Sequence, residues 1–178
     1  LYIKRNILII SIKKMKKTVI IYGSSTGTCQ SIAETIASKL GVETVDVANL
    51  DEQTIKDNDN LILGTSTWGA GELQDDWYNG IAILKRVGLS GKTIAIFGCG
   101  DSDSYSDTFC GGMKELYDAA ESAGAEVLEG VPTDGYSFDD SESVVNGTWV
   151  GLALDDVNED DKTEMRIDTW LDTIKSHL

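Results

Sequence analysis

Nine residues, GSSTGTCQS from Gly23 to Ser31, crowd hydroxyls, two glycines and a thiol between the apolar run TVIIY and a helix-like pattern. Backbone N–H groups at a helix start, backed by the helix dipole, can hold an anion without any formal positive charge. The segment contains neither Lys nor Arg. It lacks the Gly-Lys-Ser/Thr that ends a Walker A loop, and it does not spell G-x-G-x-x-G. The missing lysine argues against a nucleotide triphosphate, whose charge recruits Lys and magnesium. Taken alone, this loop reads equally as a phosphate cradle or as a polar turn carrying helix caps.

Two further loops add chemistry of a different kind. Thr65-Ser66-Thr67-Trp68-Gly69-Ala70-Gly71-Glu72-Leu73 places a tryptophan beside glycines, where it has little core to enter and can offer a flat apolar face. Gly98-Cys99-Gly100-Asp101-Ser102-Asp103-Ser104-Tyr105-Ser106-Asp107 is again glycine-rich with a single aromatic. Two aromatics on two loops beside an anion cradle describe a slot for a planar ring carrying a phosphate.

The elements that must position these loops are short apolar runs alternating with longer helical patterns. TVIIYG (18–23), ETVDVA (43–48), NLILGTS (60–66), KTIAIFG (92–98) and AEVLEG (125–130) read as strands, with a further short run VGLAL at 150–154. Ile32, Ile36 and Leu40 mark one helical stripe; Leu73, Trp77, Ile81 and Leu84 mark another; Leu116, Ala120 and Ala123 line a third. A last helix is expected from Asp160 and Asp161 through Met165, Trp170 and Ile174. Such alternation implies an α/β fold, a parallel sheet covered on both faces, with the ligand outside the carboxyl ends of its strands.

Charge and cysteine use narrow the function classes. The chain has 15 Lys and Arg against 30 Asp and Glu. Six of the basic residues fall within residues 1–17, so residues 18–178 hold 9 basic against 30 acidic residues, a net of −21. A chain this acidic repels nucleic acid and anionic lipid, and its natural complement is a basic protein surface. Cys29, Cys99 and Cys110 form no C-x-x-C pair, which argues against a disulfide framework or a zinc site and fits a reducing cytoplasm. The acidic run DDVNEDD (155–161) lacks the glycine and spacing of an EF-hand and reads as a solvated helix start. His177, the only histidine, stands in the last turn and reads as a solvated C-terminal residue, which argues against histidine-based catalysis.

The opening LYIKRNILIISIKK looks superficially like a signal peptide, but its apolar core is six residues, a lysine cluster follows, and no small-residue cleavage site is present. Residues 1–14 are expected to be an over-extended reading frame or a disordered tail, with Met15 as the natural start. Residues 15–178 are expected to form one domain.

Four motifs in order and at natural spacing, GSSTGTCQS, TSTWGAGELQDDW (65–77), GCGDSDSYSDTFC (98–110) and DGYSFDDSESVVNGTWVGLALDD (134–156), make the chain resemble the flavodoxins, specifically their long-chain branch. The resemblance implies a three-layer, doubly wound, five-stranded parallel sheet of order 2-1-3-4-5 binding FMN. It also implies a fifth strand interrupted by an insert of about twenty residues, with AEVLEG and VGLAL as its two halves. By the same resemblance, Ser24, Thr26 and Cys29 match phosphate-contacting hydroxyl positions, and Ser25, Gly27 and Thr28 supply loop backbone. Ser66, Thr67, Gly69 and Gly71 belong to the loop carrying Trp68, the residue on the inner face of the flavin ring, and Tyr105 stacks on its outer face. Cys99, Gly100 and Asp101 match the loop at the pyrimidine edge, Asp107 closes that loop, and Asp134 falls toward the ribityl region. Cys29 departs from the family's usual Thr; a thiol is the weaker donor, so Cys29→Thr is expected to tighten FMN modestly.

The function implied is a low-potential one-electron carrier cycling FMN between semiquinone and hydroquinone, and not an enzyme. Gly69 corresponds to the position where a peptide flips during that cycle. All three flavin loops are free of cations, since no Lys or Arg lies between Lys17 and Lys39, Lys56 and Lys85, or Lys92 and Lys114. A carboxylate about 10 Å away in high dielectric costs an added electron roughly 0.4 kcal/mol, so half a dozen could lower the potential by about 100 mV. The resemblance further implies redox proteins as partners, docking on the acidic rim, and a cytoplasmic monomer. The rival is a flavodoxin-like FMN-dependent quinone or NAD(P)H reductase, which would need room for a second substrate over a ring that Trp68 and Tyr105 cover.

Overall fold

A computed structural model describes residues 16–178; the expected leader at 1–14 and the start at Met15 lie outside the described residues. The sheet is built from apolar runs too short for helices. Strand β1 (Thr18–Gly23) pairs in parallel with β2 (Glu43–Asp46) on one side and β3 (Asn60–Trp68) on the other. β3 pairs in parallel with β5 (Thr93–Cys99), and a two-residue strand β4 (Glu72–Leu73) folds back antiparallel onto the end of β3. The fifth position is shared: β6 (Glu126–Val127) pairs with the start of β5, and β9 (Leu152–Leu154) with its end, both parallel. The order is therefore that of a 2-1-3-4-5 sheet with its last strand split.

Alternating side chains send each strand into two cores. Val19, Ile21, Leu61 and Leu63 join α3 (Asp76–Val87) and α4 (Met113–Ser122) through Trp77, Leu84 and Leu116 on one face. Ile20, Tyr22, Ile62 and Phe97 join α1 (Thr28–Leu40) and α5 (Asp160–Ile174) through Ile32, Ile36, Trp170 and Ile174 on the other. Between β2 and β3 lies a short helix, α2 (Glu52–Asp57), which the sequence periodicity does not show; Asp51 caps it, its Oδ1 accepting from the Thr54 N–H at 2.7 Å.

Several readings change at element ends: AEVLEG is strand only over Glu126–Val127 and VGLAL only over Leu152–Leu154, because the two share the length of β5 as partner. ETVDVA is strand only to Asp46, because the Asp46 carboxylate accepts the Ala48 N–H and turns Val47–Asn49 into a 3₁₀ helix. Leu73 belongs to β4 and not to the helix whose stripe it extends; the Thr65 hydroxyl accepts the Gln74 N–H at 3.1 Å and fixes that crossing. Met165 lies on α5 but faces solvent.

The insert between the half-strands contains a hairpin, β7 (Val144–Val145) and β8 (Thr148–Trp149), turned by Asn146 and Gly147 at φ 52° and 80°. Two consecutive positive φ values are what a tight two-residue hairpin turn requires. Buried Trp149 meets Phe109 edge-on at 5.6 Å and Phe138 at 4.8 Å. Arg166 of α5 stacks 3.9 Å over the Tyr136 ring, donates to the Gly135 carbonyl at 2.9 Å and pairs with Glu159 at 2.7 Å. The insert is thus fastened to both the loop after β5 and the last helix.

Candidate functional site

The carboxyl ends of β1, β3 and β5 open into one cleft of about 200 Å³. Its first wall is the start of α1. Gly27, the residue before that helix, sits at φ 96°, a conformation that suits glycine, and donates its N–H to Ser24 Oγ at 3.2 Å. No side chain caps the helix, so the N–H groups of its first turn, orphans in any α-helix, face outward for an acceptor. Thr26 and Thr28 line the cleft; Ser25 and Gly27 are exposed beside them.

The second wall is the end of β3. Trp68 is 43% exposed and its Nε1 donates to Ser66 Oγ at 2.8 Å. The Thr67 hydroxyl is buried without a hydrogen-bond partner in the protein. A buried unpaired hydroxyl costs free energy unless something else completes it, so this atom marks where a polar ligand edge fits. The turn that follows is closed by the Gly71 N–H donating to the Trp68 carbonyl at 3.0 Å. Gly69 stands at φ 52°, and the Glu72 carboxylate accepts the Ala70 N–H at 3.1 Å.

The third wall is the loop after β5. The Gly100 N–H donates to the Leu154 carbonyl at 3.0 Å, which ties the loop to β9. Asp101 Oδ1 accepts from Asn158 Nδ2 at 2.9 Å and the Ser104 N–H at 3.0 Å; these bonds, the Asn158 one foremost, hold its carboxyl below the ordinary range. Tyr105 stands 56% exposed across the opening from Trp68.

The structure therefore brings Thr26, Thr28, Ser66, Thr67, Trp68, Gly69, Cys99, Gly100, Asp101 and Tyr105 to one cleft. Ser24 and Gly71 support its loops through the bonds just described. Asp107 is exposed between Tyr105 and the cleft residue Thr108. Cys29 is fully buried in the α1–α5 core, so what it offers at the helix start is its backbone N–H. Burial, and then a bond with Cys99, push its thiol well above the ordinary range, and burial does the same to Cys110; neither is a ready nucleophile. Asp134 lies elsewhere, in a separate hollow between the insert and α5 with Met165 and Arg166. Thr108, Phe109, Cys110 and Val157 also line the cleft, beyond the residues expected there from the sequence. The first three sit inside the motif ending TFC; Val157 is the lone apolar residue within an acidic run, which was its signal.

A doubly wound sheet whose cleft lies where adjacent strands β1 and β3 send their chains to opposite faces belongs to the class of switch-point binders, here with an anion end and an aromatic-walled ring end. Known proteins place it further. A family model described as Flavodoxin matches residues 20–170. The chain is 39% identical over 171 residues to Flavodoxin 1 of Azotobacter vinelandii, covering 92% of this chain and 98% of that protein. It is 40% identical over 168 residues to the flavodoxin of Synechococcus elongatus, covering 92% and 99%. The crystal structure of Fusobacterium nucleatum flavodoxin bound to flavin mononucleotide matches with a TM-score of 0.86 at 32% identity, over 92% of this chain and 99% of that one. The chain belongs to the flavodoxin family. Among the described residues no helix is long and apolar enough to cross a membrane, and no cluster of side chains could hold a metal ion.

Proposed function

We propose that this flavodoxin-family chain binds FMN without a covalent bond and carries single electrons between redox enzymes. The observation that carries the reading is the cleft itself: an uncapped helix start at one end, and a slot between exposed Trp68 and Tyr105, with the unpartnered Thr67 hydroxyl inside, at the other. When bound, FMN supplies the one-electron redox chemistry. The protein's residues do the rest. Ser24, Ser25, Thr26, Gly27, Thr28 and the Cys29 N–H hold the phosphate by neutral donors. Ser66, Thr67, Gly69 and Gly71 frame the ring's inner side; Cys99, Gly100 and Asp101 meet its polar edge. Trp68 and Tyr105 cover its faces and keep out both water and a second substrate, which supports a carrier and not an enzyme. Asp107 and Asp134 contribute at longer range, by charge.

Because the cleft's loops carry no cation, their field opposes adding an electron and sets the carrier low in potential. The acidic rim favours transient docking of basic redox partners, as donor and as acceptor. The three cysteines are free, as suits a reducing cytoplasm, and the chain works as a monomer. The test is the absorbance spectrum of the purified protein together with NAD(P)H turnover in the presence of a quinone. Flavin bands without turnover are expected. A colourless protein that fails to quench added FMN fluorescence, or one that turns over unaided, overturns the reading.

A further inference from the structure

Asp155 follows β9 and is fully buried, yet no Lys or Arg pairs with it among the described residues. A buried carboxylate is tolerated only when its oxygens are satisfied. Here neutral donors do all of it. Asp155 Oδ2 accepts the Ser102 N–H at 3.1 Å and the Ser102 hydroxyl at 2.5 Å. Oδ1 accepts the Asn158 N–H at 3.1 Å, and Asn158 Nδ2 stands 3.1 Å from both oxygens.

Both partners adjoin the cleft. Ser102 follows Asp101, and Asn158 follows Val157, and both preceding residues line it. Asn158 Nδ2 also reaches Asp101 Oδ1 at 2.9 Å, so one amide bridges the buried carboxylate and the half-buried one that lines the cleft. The backbone runs in the same direction: Leu154, immediately before Asp155, accepts the Gly100 N–H. Burial chiefly raises the Cys110 thiol, and Asp155 is among the lesser causes that add to the rise.

We propose that Asp155 is a positioning residue for the Gly100–Ser104 wall of the cleft, and that its buried carboxylate keeps a negative charge beside the bound ring out of reach of salt. The inference rests on FMN occupying the cleft. Surface carboxylates such as Asp75 and Asp76 face water and are screened within a Debye length, about 3 Å at 1 M salt. Asp155 is enclosed by protein and is not. Its two roles separate experimentally, because Asn158→Ala loosens the wall while leaving the charge in place.

The test measures FMN affinity by fluorescence quenching and the FMN reduction potentials by titration, at low and at about 1 M salt. Exchange of the Ser102 amide is followed in the FMN-free protein. In Asp155→Asn, FMN is expected to bind about tenfold more weakly, the scale of losing a charge-assisted hydrogen bond. The potential for the last electron should rise, and the rise should persist at high salt. In Asn158→Ala, binding weakens by a similar factor while the potential moves less than half as far, and the Ser102 amide exchanges faster. If Asp155→Asn does not fold, Asn158→Ala and Ser102→Ala decide: unchanged affinity and unchanged Ser102 exchange in both overturn the proposal. So does an Asp155→Asn potential that stays at the parent value or returns to it in salt. A parent chain that binds no FMN instead overturns the functional reading, and this inference with it.

Discussion

Cys29 shows where residue-level reading stops. Its place in a run of hydroxyls is legible from the sequence, but the direction of its side chain depends on α1 packing against β5, which no local pattern records. With the thiol buried against Cys99, the expectation for Cys29→Thr changes: FMN affinity stays within about twofold, and the buried hydroxyl costs about 1 kcal/mol unless it bonds back to its own helix. FMN titration and urea denaturation read the two quantities separately. Gly69 is the reverse case, since glycine in a turn is legible and its geometry agrees. A Cβ there would lie 1.8 Å from Glu72 Oε2 on a backbone at φ 52°. Gly69→Ala is therefore expected to destabilise the FMN-free protein by about 1–2 kcal/mol, from the positive φ and the displaced carboxylate. Equal urea midpoints for the two proteins would contradict this.

At the scale of elements, long apolar strands are the most legible: the sequence pattern matches β1, β3 and β5 to within two residues, because a covered parallel strand is what such runs suit. What escaped was short. Helix α2 has six residues and almost no stripe; its cap, Asp51 three residues before Thr54, was the available signal. The Asn146-Gly147 pair announced the β7–β8 hairpin just as plainly. Leu73 misled because four-residue spacing to Trp77 arises by chance across a strand-to-helix junction. The insert's attachment at Arg166 is not legible in the sequence, since its partners come from two segments, Gly135–Tyr136 and Glu159, that only the fold brings together. Arg166→Ala leaves Glu159 with Lys162 as its remaining partner and removes the Tyr136 stack and the bond to the Gly135 carbonyl, a loss of about 2 kcal/mol in urea denaturation. Burial alone would raise Glu159, but bonds from Lys162 and Arg166 outweigh it and hold its carboxyl below the usual 4.5. A depressed carboxyl contributes stability that is present above its unfolded value and lost as pH falls through the folded one. Glu159→Gln should accordingly flatten the stability profile below about pH 4.5 and leave its slope near neutrality unchanged.

For the whole molecule the dominant quantity is charge. The chain's formal net charge is −15, and its phosphate cradle has no cation, so an incoming FMN dianion is repelled at long range and held only on contact. The association rate should therefore rise with ionic strength, several-fold between about 10 mM and physiological salt; stopped-flow quenching that slows with salt would reveal an attracting cation on the approach. This much was legible, because charge is counted without knowing the fold. The split strand has a consequence of another sort. Val127 faces Ile94 and Leu152 faces Phe97. Three steps along β5 would carry an unbroken strand from Val127 to Gly130, the place Leu152 actually fills, so residues 130–151 are a length of chain that leaves the ladder in register when cut out. The molecule carries a natural splice junction, at which a cassette could be removed or exchanged without any strand changing its neighbour.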